Sequence, residues 1–85
     1  MATVRISELE STVNREVLMA FCSPFGDIRS VDLPLDARSH SHKGVGYVEF
    51  YEQQDADDCV DNLDLGDLYG KTVRVSIATD RKRGL

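Results

Sequence analysis

The sequence predicts an α+β fold in which two helices cover one face of a four-stranded antiparallel sheet. Four segments alternate apolar and polar residues with the period of two that is typical of strands, and two segments have apolar residues at helical spacing. Their order along the chain is β-α-β-β-α-β. That order is typical of the ferredoxin-like split βαβ arrangement, in which right-handed crossovers place the first and third strands at the centre of the sheet.

The alternating segments set the strands and their faces. The predicted strands are residues 3–7, 28–33, 43–50 and 72–77. In each strand the residues of one set point toward the helices, and those of the other set point to the uncovered face. On the two central strands the outward set includes Arg5 and Tyr47. We therefore expect these two side chains to be neighbours in the middle of the uncovered face.

Helices and connections follow from capping and spacing. A first helix is predicted from Asn14, a good N-cap residue, to about Ser23, and a second one over residues 53–63. Residues 34–42 are polar and contain breakers, which indicates a hairpin loop between the second and third strands. Its two histidines are expected to be solvated. The connection after the second helix is expected to include a short ribbon at residues 68–69.

Length and charge limit the classes of function. A chain of 85 residues forms one domain, predicted here over residues 1–80, with residues 81–85 as a basic flexible tail. The formal net charge of −5 argues against attraction of the whole surface to nucleic acid or to an anionic membrane. A nucleic-acid site would therefore have to be local.

The cysteine spacing does not indicate a metal site, and the hydropathy does not indicate a membrane-spanning segment. Cys22 and Cys59 lie in separate predicted helices and neither belongs to a CxxC pair, which favours free thiols in a reducing compartment over a disulfide or a zinc site. No apolar run approaches the roughly 20 residues of a membrane-spanning helix, and no secretory signal is visible. We expect a soluble, intracellular protein without a cofactor.

The sequence contains no recognisable set of catalytic residues. The titratable residues expected near one another on the sheet are Arg5, Asp32, Glu49 and Arg74, and no Ser/His/Asp or Cys/His pairing accompanies them. We therefore predict a binding module rather than an enzyme.

The third strand carries a recognisable motif. Residues 43–50, Lys-Gly-Val-Gly-Tyr-Val-Glu-Phe, match seven of the eight positions of the pattern K/R-G-F/Y-G/A-F/Y-V-x-F/Y. Together with Val-Arg-Ile-Ser-Glu-Leu at residues 4–9, this stretch resembles the RNA recognition motif family, and the likeness spans about residues 3–78. The resemblance implies a monomeric module that binds single-stranded RNA on the uncovered sheet face.

The departures from the family pattern predict modest affinity. The three positions at which the family stacks bases on aromatic rings are Arg5, Val45 and Tyr47 here, so two of the three rings are missing. Base stacking is worth about 1–3 kcal/mol per base, so the loss amounts to roughly 2–6 kcal/mol. Arg5 recovers part of it, because a guanidinium stacks on bases and pairs with phosphate.

The uncovered face, its margins and the tail supply the predicted RNA-contacting residues. Tyr47 is expected to stack on one base and Arg5 to stack or to bridge to phosphate. The full set is Arg5, Ser7, Asp32, Arg38, Lys43, Val45, Tyr47, Glu49, Arg74, Ser76, Arg81, Lys82 and Arg83. Its cations are assigned to phosphate, with the cluster at 81–83 adding sequence-independent attraction.

A second function stays open because of one acidic stretch. Residues 52–67 contain seven Asp or Glu residues and no Lys or Arg, and they place a negative patch on the second helix, away from the RNA face. The patch is either a solvated surface or a docking site for a basic protein partner. The alternative function is therefore a protein-interaction module on the same fold.

A narrower likeness concerns the loops. Pro-Phe-Gly-Asp-Ile at residues 24–28 and Pro-Leu-Asp at residues 34–36 are similar to the N-terminal RNA-recognition domain of the nuclear cyclophilin E group of prolyl isomerases. This likeness implies a role in nuclear mRNA processing and splicing, with the cytoplasm as the alternative location. The isomerase half has no counterpart in this chain, so no catalysis is expected.

Overall fold

The computed structural model describes residues 2–78 of the chain and confirms the predicted fold class. Within that range the chain forms two α-helices and six strands. In chain order they are β1 (Ala2–Ser7), α1 (Arg15–Cys22), β2 (Ile28–Asp32), β3 (Val45–Phe50), α2 (Gln53–Leu63), β4 (Asp67–Leu68), β5 (Lys71–Thr72) and β6 (Arg74–Ile77).

The main sheet has the predicted topology. Its four antiparallel strands have the order β2-β3-β1-β6, so the first and third strands lie at the centre. Strands β4 and β5 form a separate two-stranded ribbon at the place where a short ribbon was predicted, with residues 67–68 paired to residues 71–72. In the register of the two central strands, Arg5 lies directly opposite Tyr47.

Helix α1 forms where a capping residue and apolar spacing coincide, whereas α2 forms on apolar spacing without a side-chain cap. The Asn14 side chain caps α1, because its Oδ1 accepts a hydrogen bond of 2.9 Å from the backbone N–H of Val17. A short 3-10 turn (Ser23–Phe25) containing Pro24 follows α1. Helix α2 begins and ends at the predicted residues.

The core lies between the helices and the inner face of the sheet. Fully buried side chains from both layers form it, among them Val4, Ile6, Val48, Phe50, Leu18 and Ala56. Gly46 of β3 lets α1 approach closely, because a Cβ at this position would lie 2.7 Å from Leu18 Cδ1. A larger residue at position 46 would force the Leu18 side chain to shift.

Strand β2 contains a bulge that simple alternation does not predict. The register with β3 pairs Ile28 with Phe50 and then Ser30 with Glu49, so Arg29 is an extra residue. The regular alternation predicted for this strand therefore holds only after the bulge, where Val31 is buried.

The last predicted strand divides into two parts. Thr72 belongs to the ribbon, and β6 begins only at Arg74. Between them, Val73 is fully buried, and its backbone N–H donates to the carbonyl oxygen of Gly66 at 2.8 Å. Because Val73 bonds to the connection after α2, the predicted strand over 72–77 is too long, and Thr72 does not extend the main sheet.

Both cysteines are free and buried, as predicted. A hydrogen bond to Cys59 and burial in the core raise the pKa of the Cys22 thiol. Over residues 2–78, no three His, Cys, Asp or Glu side chains are grouped so that they could hold a metal ion. Neither α1 nor α2 is long and apolar enough to cross a membrane.

Candidate nucleic-acid interface

The centre of the uncovered sheet face holds the pair that the sequence predicted. Arg5 on β1 and Tyr47 on β3 are opposite each other in the register, with Arg5 exposed and Tyr47 half-buried. One step along the strands, Ser7 lies opposite Val45. Within residues 2–78 the helices pack on the other face and leave this side of the sheet open to a ligand.

The two outer strands bring further predicted residues to the same face. Asp32 of β2 lies opposite Tyr47, and Ser76 of β6 lies opposite Arg5. The predicted residues that the sheet brings together are Arg5, Ser7, Asp32, Val45, Tyr47, Glu49, Arg74 and Ser76. Register therefore joins residues from all four strands into one surface.

Two of the cations assigned to phosphate already face a carboxylate. Lys43 Nζ lies 3.3 Å from Asp36 Oδ2, and Arg74 Nε lies 3.4 Å from Asp64 Oδ1. The charge of these two cations is therefore partly neutralised by the protein itself. Exposed ion pairs of this kind are worth only about 0–1 kcal/mol, so a phosphate can replace the carboxylate at little cost.

The bulge in β2 adds an arginine that the sequence reasoning missed. Arg29 Nη1 lies 2.9 Å from Glu49 Oε1, and the hydroxyl of Ser30 donates to the same oxygen at 3.2 Å. If the alternation seen at Val31 continued without a bulge, the Arg29 side chain would point toward the core. A charged residue at an inward position was the signal that the strand must be bulged.

One groove lies between the hairpin loop and β3, and we name it the hairpin groove. Its volume is about 820 Å³, and its lining residues are Arg5, Pro34, Leu35, Asp36, Ala37, Arg38, Lys43, Val45 and Tyr47. Of the loop residues in this lining, only Arg38 belongs to the set that the sequence predicts to contact RNA. The apolar loop residues were missed because nothing in the sequence shows that the loop folds back beside the sheet.

A second groove, which also includes Arg5, lies where β1 ends and where β3 and β6 begin, and we name it the strand-end groove. Its volume is about 840 Å³, and its polar lining residues include Arg5, Ser7, Glu8, Glu10, Ser11, His42, Lys43, Lys71, Arg74 and Ser76. Lys71 was not predicted. It reaches the groove because the β4–β5 ribbon lies next to the start of β6.

Asp36 holds the hairpin loop in shape. Its Oδ1 accepts a hydrogen bond of 2.7 Å from the backbone N–H of Arg38, and its own backbone N–H donates to the carbonyl oxygen of Ser41 at 2.8 Å. The hydrogen bond from Arg38, together with one from Lys43, lowers the pKa of Asp36. The loop is therefore ordered by its own residues.

Asp64 has the corresponding role beside the strand-end groove. Its Oδ1 accepts a hydrogen bond of 2.9 Å from the backbone N–H of Val75. That hydrogen bond, with Arg74 nearby, lowers the pKa of Asp64. The carboxylate thereby connects the end of α2 to the start of β6.

The two histidines differ, although both were expected to be solvated. His40 is exposed, whereas His42 is half-buried, and its Nδ1 accepts a hydrogen bond of 2.9 Å from the backbone N–H of Gly44. Its Nε2 is buried and has no hydrogen-bond partner within residues 2–78. The expectation for His42 is wrong because the loop folds back on itself, with an isolated bridge between Leu35 and His42.

Comparison with known proteins identifies the family to which this surface belongs. A model of the RNA recognition motif family matches residues 4–74. The chain belongs to this family. The match runs from β1 through the ribbon to the first residue of β6, so the resemblance read from β3 is confirmed at the level of the family.

Curated relatives of this RNA recognition motif include splicing proteins. Splicing factor 3B subunit 4 of Caenorhabditis elegans is 31% identical over 84 residues, which cover 99% of this chain and 22% of that protein. Spliceosome-associated protein 49 of Schizosaccharomyces pombe is 31% identical over 78 residues, covering 92% and 23%. The chain thus spans only between 20% and 40% of the length of such relatives.

Solved structures share the fold of the motif. The RNA Binding Protein PG1 has a TM-score of 0.90 at 22% identity, over 93% of this chain and 95% of that one. The second RNA recognition motif of yeast Poly(U)-Binding Protein has a TM-score of 0.85 at 26% identity, again over 93% and 95%. The Rna15 motif with bound RNA (GU) has a TM-score of 0.82 at 18% identity, over 91% and 82%.

Not every predicted site residue of the motif falls on the sheet. Arg38 is exposed on the hairpin loop, and Lys43 lies at the entrance to β3. Arg81, Lys82 and Arg83 lie outside the described residues. The assignment of the basic tail therefore stays a prediction.

Proposed function

We propose that this RNA recognition motif binds single-stranded RNA, as a monomer and with modest affinity, across its uncovered sheet face. The observation that carries the proposal is the placement of Arg5 directly opposite Tyr47 at the centre of that face. A phenol ring beside a guanidinium offers one base a stacking surface and the adjoining phosphate a partner.

Cations around the central pair supply contacts to the RNA backbone. Lys43 and Arg74 each exchange a carboxylate for a phosphate, and Arg38 is exposed on the hairpin loop. These contacts carry little sequence information, because every nucleotide has a phosphate. Discrimination between sequences is therefore expected to be low on the sheet itself.

Modest affinity follows from the side chain at position 45. Val45 stands where the family stacks a second base, and Arg5 stands where it stacks another. An aliphatic side chain leaves a base without the ring contact that is worth about 1–3 kcal/mol. We expect one strong stacking position, at Tyr47.

The names of the curated relatives support a role in nuclear mRNA processing. Splicing factor 3B subunit 4 and Spliceosome-associated protein 49 are named for splicing. We propose that this chain acts in the same process, in the nucleus, as a binding module without catalytic activity. The narrower likeness to the cyclophilin E group stays a prediction, since the relatives named above are splicing proteins and not isomerases.

An NMR titration tests the proposal. The protein is titrated with a degenerate pool of single-stranded RNA octamers at two salt concentrations, and amide shifts are followed. We expect the amides of residues 5, 43–47 and 74 to move, and to move less at high salt, because phosphate contacts weaken with added salt.

Four variants show whether the sheet pair makes the contact. Tyr47→Ala should weaken binding by about 1–3 kcal/mol, or roughly 5- to 150-fold, and Arg5→Ala should also weaken it. Tyr69→Ala and Arg15→Ala are matched controls, since both residues are exposed and lie on the ribbon turn and on α1. Equal binding by all four variants and the parent would remove the proposal.

The acidic surface of α2 supports a second candidate, a protein-interaction module. Asp57, Asp58 and Asp61 are exposed on this helix, and Leu65, just beyond its end, is 63% exposed. Opposite charge favours a basic partner. Titration with a lysine- and arginine-rich peptide distinguishes the two candidates. The second candidate is favoured if the peptide shifts amide resonances of α2 but not those of the sheet, and if RNA shifts neither.

A further inference from the structure

The two cysteines are a pair of nucleophilic groups that the proposed RNA surface does not use. Cys22 is the last residue of α1, and Cys59 lies in the middle part of α2. Both side chains are fully buried in the core between the helices and the sheet. A hydrogen bond connects the two thiols. Two free thiols from different helices are therefore in contact, on the side of the sheet away from the uncovered face.

A second contact shows that the chain after α1 lies along α2. Gly26 ends the short turn that follows α1, and a Cβ at this glycine would overlap the carboxylate of Asp55. Asp55 and Cys59 are four residues apart on α2, so they lie on the same side of that helix, one turn from each other. The chain around Cys22 thus meets α2 at two successive turns, which keeps the two sulfur atoms together without a covalent bond.

Burial limits the oxidation products that this pair can form. A sulfenic acid adds a polar oxygen to the thiol, and a mixed disulfide with a small thiol adds a whole molecule. Because Cys22 and Cys59 are each 0% exposed, either product would displace the packed side chains around it. A disulfide between the two cysteines removes two hydrogen atoms and adds no atom. It is therefore the oxidation product that the packing of the core favours.

We propose that Cys22 and Cys59 form a redox modification site, at which a low-molecular-weight disulfide oxidises the pair to a disulfide bond that joins α1 to α2. Thiol reductants of the same class reverse the reaction, so the free thiols are the form that a reducing environment maintains. The proposal goes beyond RNA binding and does not depend on it, since neither cysteine is a lining residue of the hairpin groove or of the strand-end groove.

The reaction consists of two thiol-disulfide exchanges. A hydrogen bond to Cys59 and burial raise the pKa of Cys22, so its thiolate forms only when the end of α1 opens locally. The Cys22 thiolate attacks one sulfur of the small disulfide, whose S–S bond breaks and releases one small thiol. Cys59 then loses its proton and attacks the Cys22 sulfur, which forms the protein disulfide and releases the second small thiol. Two electrons and two protons thus pass from the cysteines to the small disulfide.

The bond would restrict a large part of the unfolded chain. Strand β2, the hairpin loop, β3 and the first half of α2 lie between the two cysteines. Cross-linking the ends of a long segment lowers the entropy of the unfolded state and so stabilises the fold. We expect the equilibrium constant for folding to rise by roughly 30- to 900-fold on oxidation, the range that disulfides typically give.

Mass measurements test whether the bond forms in the folded protein. The chain is incubated with oxidised glutathione, once without denaturant and once in urea below the unfolding transition, where local opening is faster. Remaining thiols are then alkylated in strong denaturant. We expect an intact mass lower by two hydrogen atoms and no alkylation. A tryptic digest should contain residues 16–29 linked to residues 44–71, the two peptides that hold the cysteines, and dithiothreitol should separate them.

Urea denaturation tests whether the bond fits the fold. The oxidised chain should unfold at a higher urea concentration than the reduced chain. Cys22→Ala and Cys59→Ala are the matched controls, because each variant keeps one thiol and cannot form the internal bond. Neither variant should gain stability from the same incubation with oxidised glutathione. Binding of the RNA octamer pool should be equal for the oxidised and the reduced parent, because the bond lies behind the sheet.

Three results would overturn the proposal. If both incubations give only mixed disulfides or unreacted thiols, the two sulfur atoms do not reach bonding geometry in the fold. If the linked form is less stable than the reduced form, the bond forms only at the expense of the native packing. If Cys22→Ala or Cys59→Ala gains as much stability from the oxidant as the parent, the gain does not come from a bond between these two residues.

Discussion

The two grooves beside Arg5 are built in the same way and lined differently. At each of them a carboxylate accepts a backbone N–H and faces a cation, Asp36 with Lys43 in the hairpin groove and Asp64 with Arg74 beside the strand-end groove. The hairpin groove is otherwise lined mainly by apolar loop side chains, whereas the strand-end groove is lined mainly by charged and hydroxyl groups. One sheet face thus has an apolar groove next to a charged groove.

The two carboxylates also act over different distances along the chain. Asp36 bonds to Arg38, two residues away, so the hairpin groove is shaped by local sequence. Asp64 bonds to Val75, eleven residues away, so the strand-end groove depends on how α2 and β6 pack. We expect the hairpin groove to be the less sensitive of the two to changes elsewhere in the fold.

The largest expected effect lies beneath both grooves. Ile6 is fully buried on β1 between Arg5 and Ser7, so Ile6→Ala leaves a cavity under the floor that the grooves share. The free energy of unfolding should fall by about 2–5 kcal/mol, measured by urea denaturation. Leu65→Ala, which changes an exposed side chain, should stay within about 0.5 kcal/mol of the parent. Similar destabilisation of the two variants would contradict the placement of Ile6 in the core.

The next effect separates the grooves by their response to salt. Replacing Arg74 and Lys71 by glutamine removes cations from the strand-end groove. The slope of log K against log salt for RNA octamers should become shallower by roughly 0.7 for each phosphate that the variant no longer neutralises. Leu35→Ala removes no charge from the hairpin groove, so it should leave the slope unchanged. If both changes alter the slope alike, the charged lining of the strand-end groove does not account for the salt dependence.

A smaller effect concerns acid stability. The N–H of Val75, with Arg74 nearby, lowers the pKa of Asp64 from its ordinary value of 3.8. The carboxylate therefore stabilises the fold above that value, and the stabilisation is lost as the pH falls through the lowered folded value. We expect the urea midpoint of the parent to fall more steeply below about pH 4 than that of Asp64→Asn.

Asp61→Asn is the control for the acid prediction. Asp61 is an exposed acid on the same helix, and the structure of residues 2–78 shows neither a hydrogen bond nor an ion pair for its side chain. Its variant should keep the pH dependence of the parent. If the urea midpoints of Asp64→Asn and of the parent depend on pH in the same way, the role given to Asp64 is wrong.

The smallest effect lies at the edge of the sheet, outside both grooves. Arg29→Ala removes the ion pair to Glu49, whose two side chains are 47% and 15% exposed. Partly exposed pairs contribute about 0.2–1 kcal/mol, so the free energy of unfolding should fall by no more than that. Arg15→Ala, on the exposed side of α1, provides the baseline. A decrease above about 2 kcal/mol would mean that the bulge depends on the pair.

The sequence by itself determined the elements, their order and the central pair of the candidate site. Periodicity distinguishes strands from helices locally, and the cap at Asn14 and the start of α2 depend on neighbouring residues alone. The order of the elements with right-handed crossovers then leaves one sheet topology, which places Arg5 opposite Tyr47.

Only the tertiary structure decided what surrounds that pair. The bulge at Arg29, the split of the last strand at Val73 and the half-burial of His42 depend on contacts that the alternation of residues does not show. The carboxylates that face Lys43 and Arg74, and the loop wall that carries Leu35, likewise follow from three-dimensional packing. Periodicity predicts which face of the sheet a side chain occupies. The residues that it contacts there depend on how the loops and the helix ends pack against the sheet.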